Sequence, residues 1–297
     1  MAITAAQVKE LREKTGVGMM ECKNALTENG GDIEKAILWL RERGLSRAAK
    51  KADRVTAEGI VKVLVNDAQT AGVLLEINCE TDFVSKNVDF QKFTDDLAQL
   101  ALDQQVNDVN ALKELKLNGE NVGDVLTALI ARIGENLNIR RVNSFSAQNG
   151  VVAGYSHMGG KIGSIVVLDG STDESVKDLG KDLAMHVAAA APRYLSSEQV
   201  DPEELKQEEE LARKKLQEEN KPDHLIEKIM GGQIQKFYKE VCLVEQSYVK
   251  DPSLTVKQLV KDQGKGAQLS KFARFQLGEG VEKKKENFAE EVAAQLK

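Results

Sequence analysis

No proline occurs before Pro192, and the others are Pro202, Pro222 and Pro252. Residues 1–191 thus carry none of the breaks that proline imposes, and Pro192 marks a boundary. Cysteine is equally scarce: Cys22, Cys79 and Cys242 are widely separated and make no C-x-x-C pair. That spacing fits neither a disulfide framework nor a zinc site, and it reads as a reducing cytoplasm. No run of 18 apolar residues occurs, so a membrane span is not expected. Met1-Ala2-Ile3-Thr4 opens directly into a capped helix without a basic n-region or an apolar h-region, which reads against secretion. An excess of positive charge is missing too. The net charge of -6 removes the electrostatic term that dominates nonspecific nucleic-acid binding, so the expected partner is a protein.

Reactive constellations are also absent. There is no Gly-x-x-x-x-Gly-Lys-Ser/Thr loop, and Gly159-Gly160-Lys161-Ile162-Gly163 sits between two strand patterns, where a hairpin turn explains it. No Gly-x-Ser-x-Gly elbow exists, and Ser156 and His157 fall on alternate faces of a strand, which makes a serine hydrolase a poor reading. His186 and His224 have no partner at metal-ligand spacing. Each of the three histidines reads as a core or surface residue. The sequence therefore points to a protein that is not an enzyme and needs no cofactor or metal.

What is present is a soluble α+β composition: 297 residues, 41% hydrophobic and 30% charged, enough for two or three compact units. Thr4 and Gln7 make a capping box, with Ile3 and Val8 as its hydrophobic staple, and Gly16 ends the helix. A second helix over Met19–Glu28 closes at Gly30-Gly31, and Asp32 caps a third with Ile33, Ala36, Ile37 and Leu40 on one face. Met19 and Met20 are adjacent, so only one of them is expected to face inward. Methionine at this place either fills a small core or serves a binding surface. The basic Ala48–Arg54 segment reads as a solvated connector.

From Glu58 the period changes to strands at 60–65 and 72–78 around an Asn66-Asp67 turn, followed by a helix near 90–102. The same order returns at an offset of 91 residues: strands at 151–157 and 161–168, then a helix at about 175–191. In that register Gly72 falls on Gly163, Thr81 and Asp82 on Thr172 and Asp173, and Phe83 on Glu174. The folding unit thus keeps a Thr-Asp turn and tolerates a charge where the ring sits. Beyond Pro192, Asp201-Pro202-Glu203-Glu204 starts a helix that breaks at Pro222. Leu225, Ile226, Ile229, Ile234 and Phe237 stripe a second, so the pair forms an antiparallel, coiled-coil-like hairpin suited to dimerisation. Strands are expected around 240–244 and 271–277, with a Thr255 capping box between them. A last helix carries Phe288, Val292 and Leu296.

The segment Glu76-Ile77-Asn78-Cys79-Glu80-Thr81-Asp82-Phe83-Val84 is the most informative. An apolar strand pattern runs into a polar turn that carries a large ring, and turn chemistry accounts for Thr81 and Asp82 but not for Phe83 and Val84. Such a ring folds back onto its own core or docks into a partner. Asp82 either caps the turn or joins the contact.

Four segments carry a resemblance: Leu11–Lys23, Thr81–Val84, Ile133–Arg141 and Met185–Ala189. In this order they resemble the bacterial elongation factor Ts family, the nucleotide exchange factors of the GTPase elongation factor Tu. The resemblance implies a three-helix module like a ubiquitin-associated domain at 1–46, a linker at 47–57 and core subdomains at 58–149 and at 150–199 with 238–280. It further implies a helical hairpin at 200–237 that forms a homodimer, and a C-terminal helical module at 281–297. It implies that Leu11, Met19 and Met20 contact a helix of the partner's G domain, and that Thr81, Asp82, Phe83 and Val84 disturb its Mg2+ site with Phe83 as wedge. Ile133 and His157 match further contact positions. The activity implied is GDP release from elongation factor Tu during translation in the cytoplasm. The alternative is an adaptor that holds the GTPase without changing its nucleotide affinity.

Overall fold

The computed structural model describes residues 3–219 and 221–281. In chain order the elements are α1 Ala5–Thr15, α2 Met19–Glu28, α3 Ile33–Lys51, β1 Glu58–Val65, β2 Ala71–Cys79, α4 Asp82–Ser85, α5 Val88–Gln104 and α6 Val109–Glu114. There follow β3 Lys116–Leu117, β4 Glu120–Asn121, α7 Val122–Ile133, β5 Leu137–Ser146, β6 Val151–His157, β7 Ile162–Asp169 and α8 Glu174–Ala190. The last group is α9 Pro202–Glu218, α10 Asp223–Val241, β8 Ser247–Tyr248, β9 Asp251–Thr255, α11 Val256–Gln263 and β10 Gln268–Gln276. The α+β class follows directly. None of the described helices is long and apolar enough to cross a membrane. The expected helix at 281–297 lies outside the described residues, apart from Val281.

Two compact units emerge. One takes the chain up to Lys62, Leu75–Val142 and the segment from Gln276; the other takes Val63–Leu74 and Asn143–Phe275. In the first, α1 to α3 form a bundle whose start is fixed by the expected box: the Thr4 side chain accepts from the Gln7 N–H, and the Gln7 side chain accepts from the Thr4 N–H. Val8, Leu11, Cys22, Ala25, Leu26 and Ala36 fill its centre, with Ile3 packed against them. α3 continues through Lys51, so the expected linker begins in helix. Ala48, Ala49, Lys50 and Lys51 are strong helix formers with no breaker among them, which carries the helix on. β5 was not expected. Arg140 and Arg141 interrupt its apolar pattern, although its four apolar residues, Leu137, Ile139, Val142 and Phe145, are all buried.

Strands β1, β2 and β5 form a sheet in that order, and β10, β7 and β6 form another. The sequence repeat is a geometric one. A Cβ on Gly59 would stand 2.1 Å from the Ile77 carbonyl oxygen, and one on Gly150 would stand 2.0 Å from that of Leu168. Glycine is required at both, at the 91-residue offset in each case. The helices obey a different offset. Asn87 caps α5 and Asp173 caps α8, each through its side chain, and both 17-residue helices end on left-handed residues, Gln105 and Ala191. Each of these pairs is 86 residues apart. The first repeat thus carries extra residues between its second strand and its long helix, and they form α4 with Phe83. The expected equivalence of Thr81-Asp82 with Thr172-Asp173 is corrected accordingly: Asp173 caps the long helix, the task done by Asn87 in the first repeat.

In the second unit the core gathers Val151, Ala153, Val166, Leu168, Leu179, Leu183, Val187 and Val256. His186 is sealed there. The Val249 N–H donates to Nδ1 at 3.3 Å, which leaves Nε2 to donate to Gln246 Oε1 at 3.0 Å. Burial pushes the pKa of the imidazole below its ordinary value, against the opposing effect of the hydrogen bond it donates to Gln246. The histidine is a core residue held in one neutral tautomer.

α9 and α10 run antiparallel, since Arg213 pairs with Glu227 at 2.7 Å and Leu216 packs with Ile226 and Met230. The strand expected at 240–244 is instead the end of α10 and a 3-10 turn at Leu243–Glu245. The run Val241-Cys242-Leu243 is apolar because all three are buried, and a short apolar run does not distinguish helix from strand.

Candidate functional site

The Phe83 side chain is 79% exposed, although the turn that carries it is firmly held. β2 ends at Cys79, whose thiol donates to the Thr81 carbonyl at 3.1 Å. Burial pushes that thiol up to about 12, with the Glu135 and Glu58 carboxylates adding to the shift, so it stays a donor. Thr81 is the N-cap residue of α4, yet its side chain makes no capping bond to the turn. Its hydroxyl donates 2.6 Å to Glu135 Oε1 instead, while Glu135 Oε2 accepts the Glu80 N–H at 3.1 Å and the Thr81 N–H at 3.0 Å.

The latch works in both directions. The Asn136 N–H donates 2.6 Å to Glu80 Oε1, and Asn136 Nδ2 donates to the carbonyls of Ala52 and Arg54 at 3.2 and 3.0 Å. Glu135 and Asn136 follow Gly134, the left-handed C-cap of α7 at φ 88, and Lys51 Nζ donates to the Gly134 carbonyl. Two of the four sequence segments singled out above therefore meet here, one supplying the turn and the other its clamp. A second tie lies within β2, three residues before its end. Glu76 is fully buried, with Arg140 Nη1 at 3.0 Å, Arg141 Nε at 2.6 Å, Asn78 Nδ2 at 3.0 Å and the Gly278 N–H at 2.9 Å on its two oxygens.

Within the turn, Asp82 is the first helical residue rather than the cap, and its carboxylate pairs with Lys86 Nζ at 3.0 Å. The Lys86 N–H returns to the Phe83 carbonyl and the Asn87 N–H to that of Val84, which closes the turn on itself. Val84 is buried and anchors the turn. The ring of Phe83 is left outside with no core to return to, and Val88, 78% exposed, follows it along the chain.

The other sequence-selected residues divide by burial. Leu11 is completely buried in the bundle of α1 to α3 and holds that bundle together. Met19 and Met20 are both exposed, at 53% and 68%, against the expectation that one faces inward. Cys22, Ala25 and Leu26 of α2 fill the core without them. Ile133 is half-buried at the end of α7. In the second unit His157 ends β6 in an exposed position, with its Nδ1 at 3.0 Å from Tyr155 Oη. Sequence reasoning missed Met158, exposed beside it in a left-handed conformation at φ 50. It also missed the clamp residues Glu135 and Asn136, whose only signal was their place in the 133–141 segment.

The chain matches the family model described as Elongation factor TS over residues 80–279. Among curated relatives, the elongation factor Ts of Syntrophotalea carbinolica is 50% identical over 305 aligned positions that cover 100% of both chains. That of Magnetococcus marinus is 49% identical over 300 positions, covering 99% of this chain and 98% of its own. That of a Clostridium perfringens strain is 49% identical over 297 positions, covering 98% of each.

Proposed function

The chain belongs to the elongation factor Ts family, and from that premise we propose that it is a guanine-nucleotide exchange factor for elongation factor Tu. In this reading it binds the GDP complex, disturbs the Mg2+ site with the Thr81-Asp82-Phe83 turn and promotes GDP release during translation. Met19, Met20 and Ile133 supply further contacts from the same unit, and His157 supplies one from the other. The observation that supports it most is the outward ring of Phe83 on a turn latched to β2 and α7.

A GTPase holds its nucleotide through backbone N–H groups, a P-loop lysine and Mg2+ bridging the phosphates. A protein that moves the elements carrying the ion weakens that hold without a reactive group of its own. What it needs is a surface that fits the nucleotide-free form better than the GDP form, because linkage makes the two effects reciprocal. A rigid apolar knob meets this requirement: burying one phenylalanine is worth about 1.5 to 3 kcal/mol, or roughly a 10- to 100-fold change in affinity. Larger effects draw on the remaining contacts.

The test is release of fluorescently labelled GDP from elongation factor Tu while this protein is titrated in. Exchange requires a release rate that rises and then saturates. An adaptor that only holds the GTPase leaves the rate at its intrinsic value at every concentration.

A further inference from the structure

Resting on the exchange reading, we propose that Glu135 is a positioning residue for exchange, whose carboxylate fixes the base of the Phe83 turn so that the ring is presented in one orientation. It touches neither nucleotide nor ion. Three donors converge on it, the N–H groups of Glu80 and Thr81 and the Thr81 hydroxyl, and none of the three bonds is needed to complete a helix or a sheet.

The Thr81 hydroxyl is the informative part. An N-cap threonine normally accepts an N–H from its own helix, which ties the side chain to the turn alone. Here the hydroxyl is turned the other way and joins the turn to the residue after the α7 C-cap. Bonds to a carboxylate are shorter and stronger than neutral ones and set a direction. The same carboxylate also grips two successive peptides, Cys79–Glu80 and Glu80–Thr81, which removes the swing of α4 about its N-terminal end. The extra residues of the first repeat, which a free loop would leave mobile, become a rigid mount. Displacements of about 1 Å at a working group cost up to roughly 100-fold in rate, so the mount is expected to act on rate rather than on affinity.

Glu135→Ala removes both acceptor oxygens and with them all three bonds. Glu135→Gln is the conservative variant, because its amide oxygen can still take both N–H groups while its NH2 donates to a Thr81 hydroxyl that reverses its role. In the labelled-GDP assay Glu135→Ala is expected to lower the maximal release rate by about tenfold or more at an unchanged half-saturating concentration. Glu135→Gln is expected to restore most of that loss. In a Phe83→Ala background, Glu135→Ala is expected to add nothing, since a mount without its ring has no further effect.

An alanine variant with the wild-type maximal rate, or one whose loss multiplies with that of Phe83→Ala, overturns the proposal. So does a loss seen only as a raised half-saturating concentration, which a merely structural role would produce. If Glu135→Ala does not fold, Thr81→Val removes the hydroxyl alone. A clear drop in its maximal rate sustains the mount, and a rate equal to wild type overturns it. Failure of the exchange reading looks different: the wild-type protein itself would leave GDP release unchanged.

Discussion

Phe83→Ala is expected to cut the maximal rate of stimulated GDP release from elongation factor Tu by about 10- to 100-fold, the range set by burying one phenylalanine ring, while leaving the fold intact. The two halves of this expectation come from the same observation. A ring that is 79% exposed contributes little to its own protein, so its removal creates no cavity. Surface substitutions of this kind change stability by roughly 0.5 kcal/mol or less. Almost all of the ring's apolar area remains available for a partner. The turn itself survives the substitution, since its bonds run through the Thr81 hydroxyl, the backbone and Val84. A thermal midpoint that drops by many degrees would mean that the ring is a core residue after all, and an unchanged release rate would mean that it is no wedge.

The largest loss of stability is expected at Glu76. Its carboxylate is fully buried and holds two arginines, an asparagine and the Gly278 N–H. Removing one side of a buried, hydrogen-bonded ion pair costs about 3 to 5 kcal/mol. Arg140 and Arg141 retain side-chain exposures of 24% and 29%, so water compensates them in part and the lower end, about 3 kcal/mol, is expected for Glu76→Ala. That is a large share of the 5 to 15 kcal/mol typical of folded proteins. Arg141 also donates to the Gln276 carbonyl and pairs with Glu279. Gly278, at φ 69, passes so close to Ala57 that a Cβ there would stand 2.6 Å from the Ala57 oxygen. The variant is therefore expected to free the 276–281 segment as well, measured as faster amide exchange at Gly278 beside a lower denaturant midpoint. An unchanged midpoint would show that the hub is worth no more than a surface pair.

The same carboxylate sets an acid limit. Burial raises its pKa, but the Gly278 N–H, Arg141 and Asn78 outweigh burial, and the net position is below the ordinary glutamate value. The folded state then binds fewer protons than the unfolded state in the window between the two values. This contribution is fully present above the unfolded value of about 4.3 and is lost as pH falls through the folded one. Glu76→Gln is expected to remove that part of the acid slope.

How far the residues foretold the fold follows from the range of each interaction. The Thr4–Gln7 box and the caps at Asp32, Asp201 and Thr255 involve residues two or three apart, and all were legible. β6 came out with both its ends, because the apolar Val151-Val152-Ala153 opens it and the Gly159-Gly160 turn closes it. The exposure of Phe83 was legible for a negative reason, since nothing in turn chemistry asks for a ring there. What was not legible depends on distance along the chain. Glu135 lies 54 residues from Thr81, and Arg140 lies 64 from Glu76; no local pattern announces either tie. β5 was hidden by the two arginines that make it useful. Leu11 and Val84 are apolar in segments that resemble contact surfaces, and both are buried in the free chain. One shorter-range expectation gave way. Met19 and Met20 are both outside because α2 opens at Gly18 and its inward positions begin only at Cys22.

In the exchange reading, a ring mounted outside its own fold weakens another molecule's hold on GDP. A closed thermodynamic cycle tests this: the affinity of elongation factor Tu for GDP with and without this protein, and the affinity of this protein for elongation factor Tu with and without GDP. A wedge requires the same factor on both sides of the cycle, well above one, and smaller by about 10- to 100-fold with Phe83→Ala. Equal affinity for the GDP-bound and nucleotide-free forms would contradict it and leave a passive adaptor.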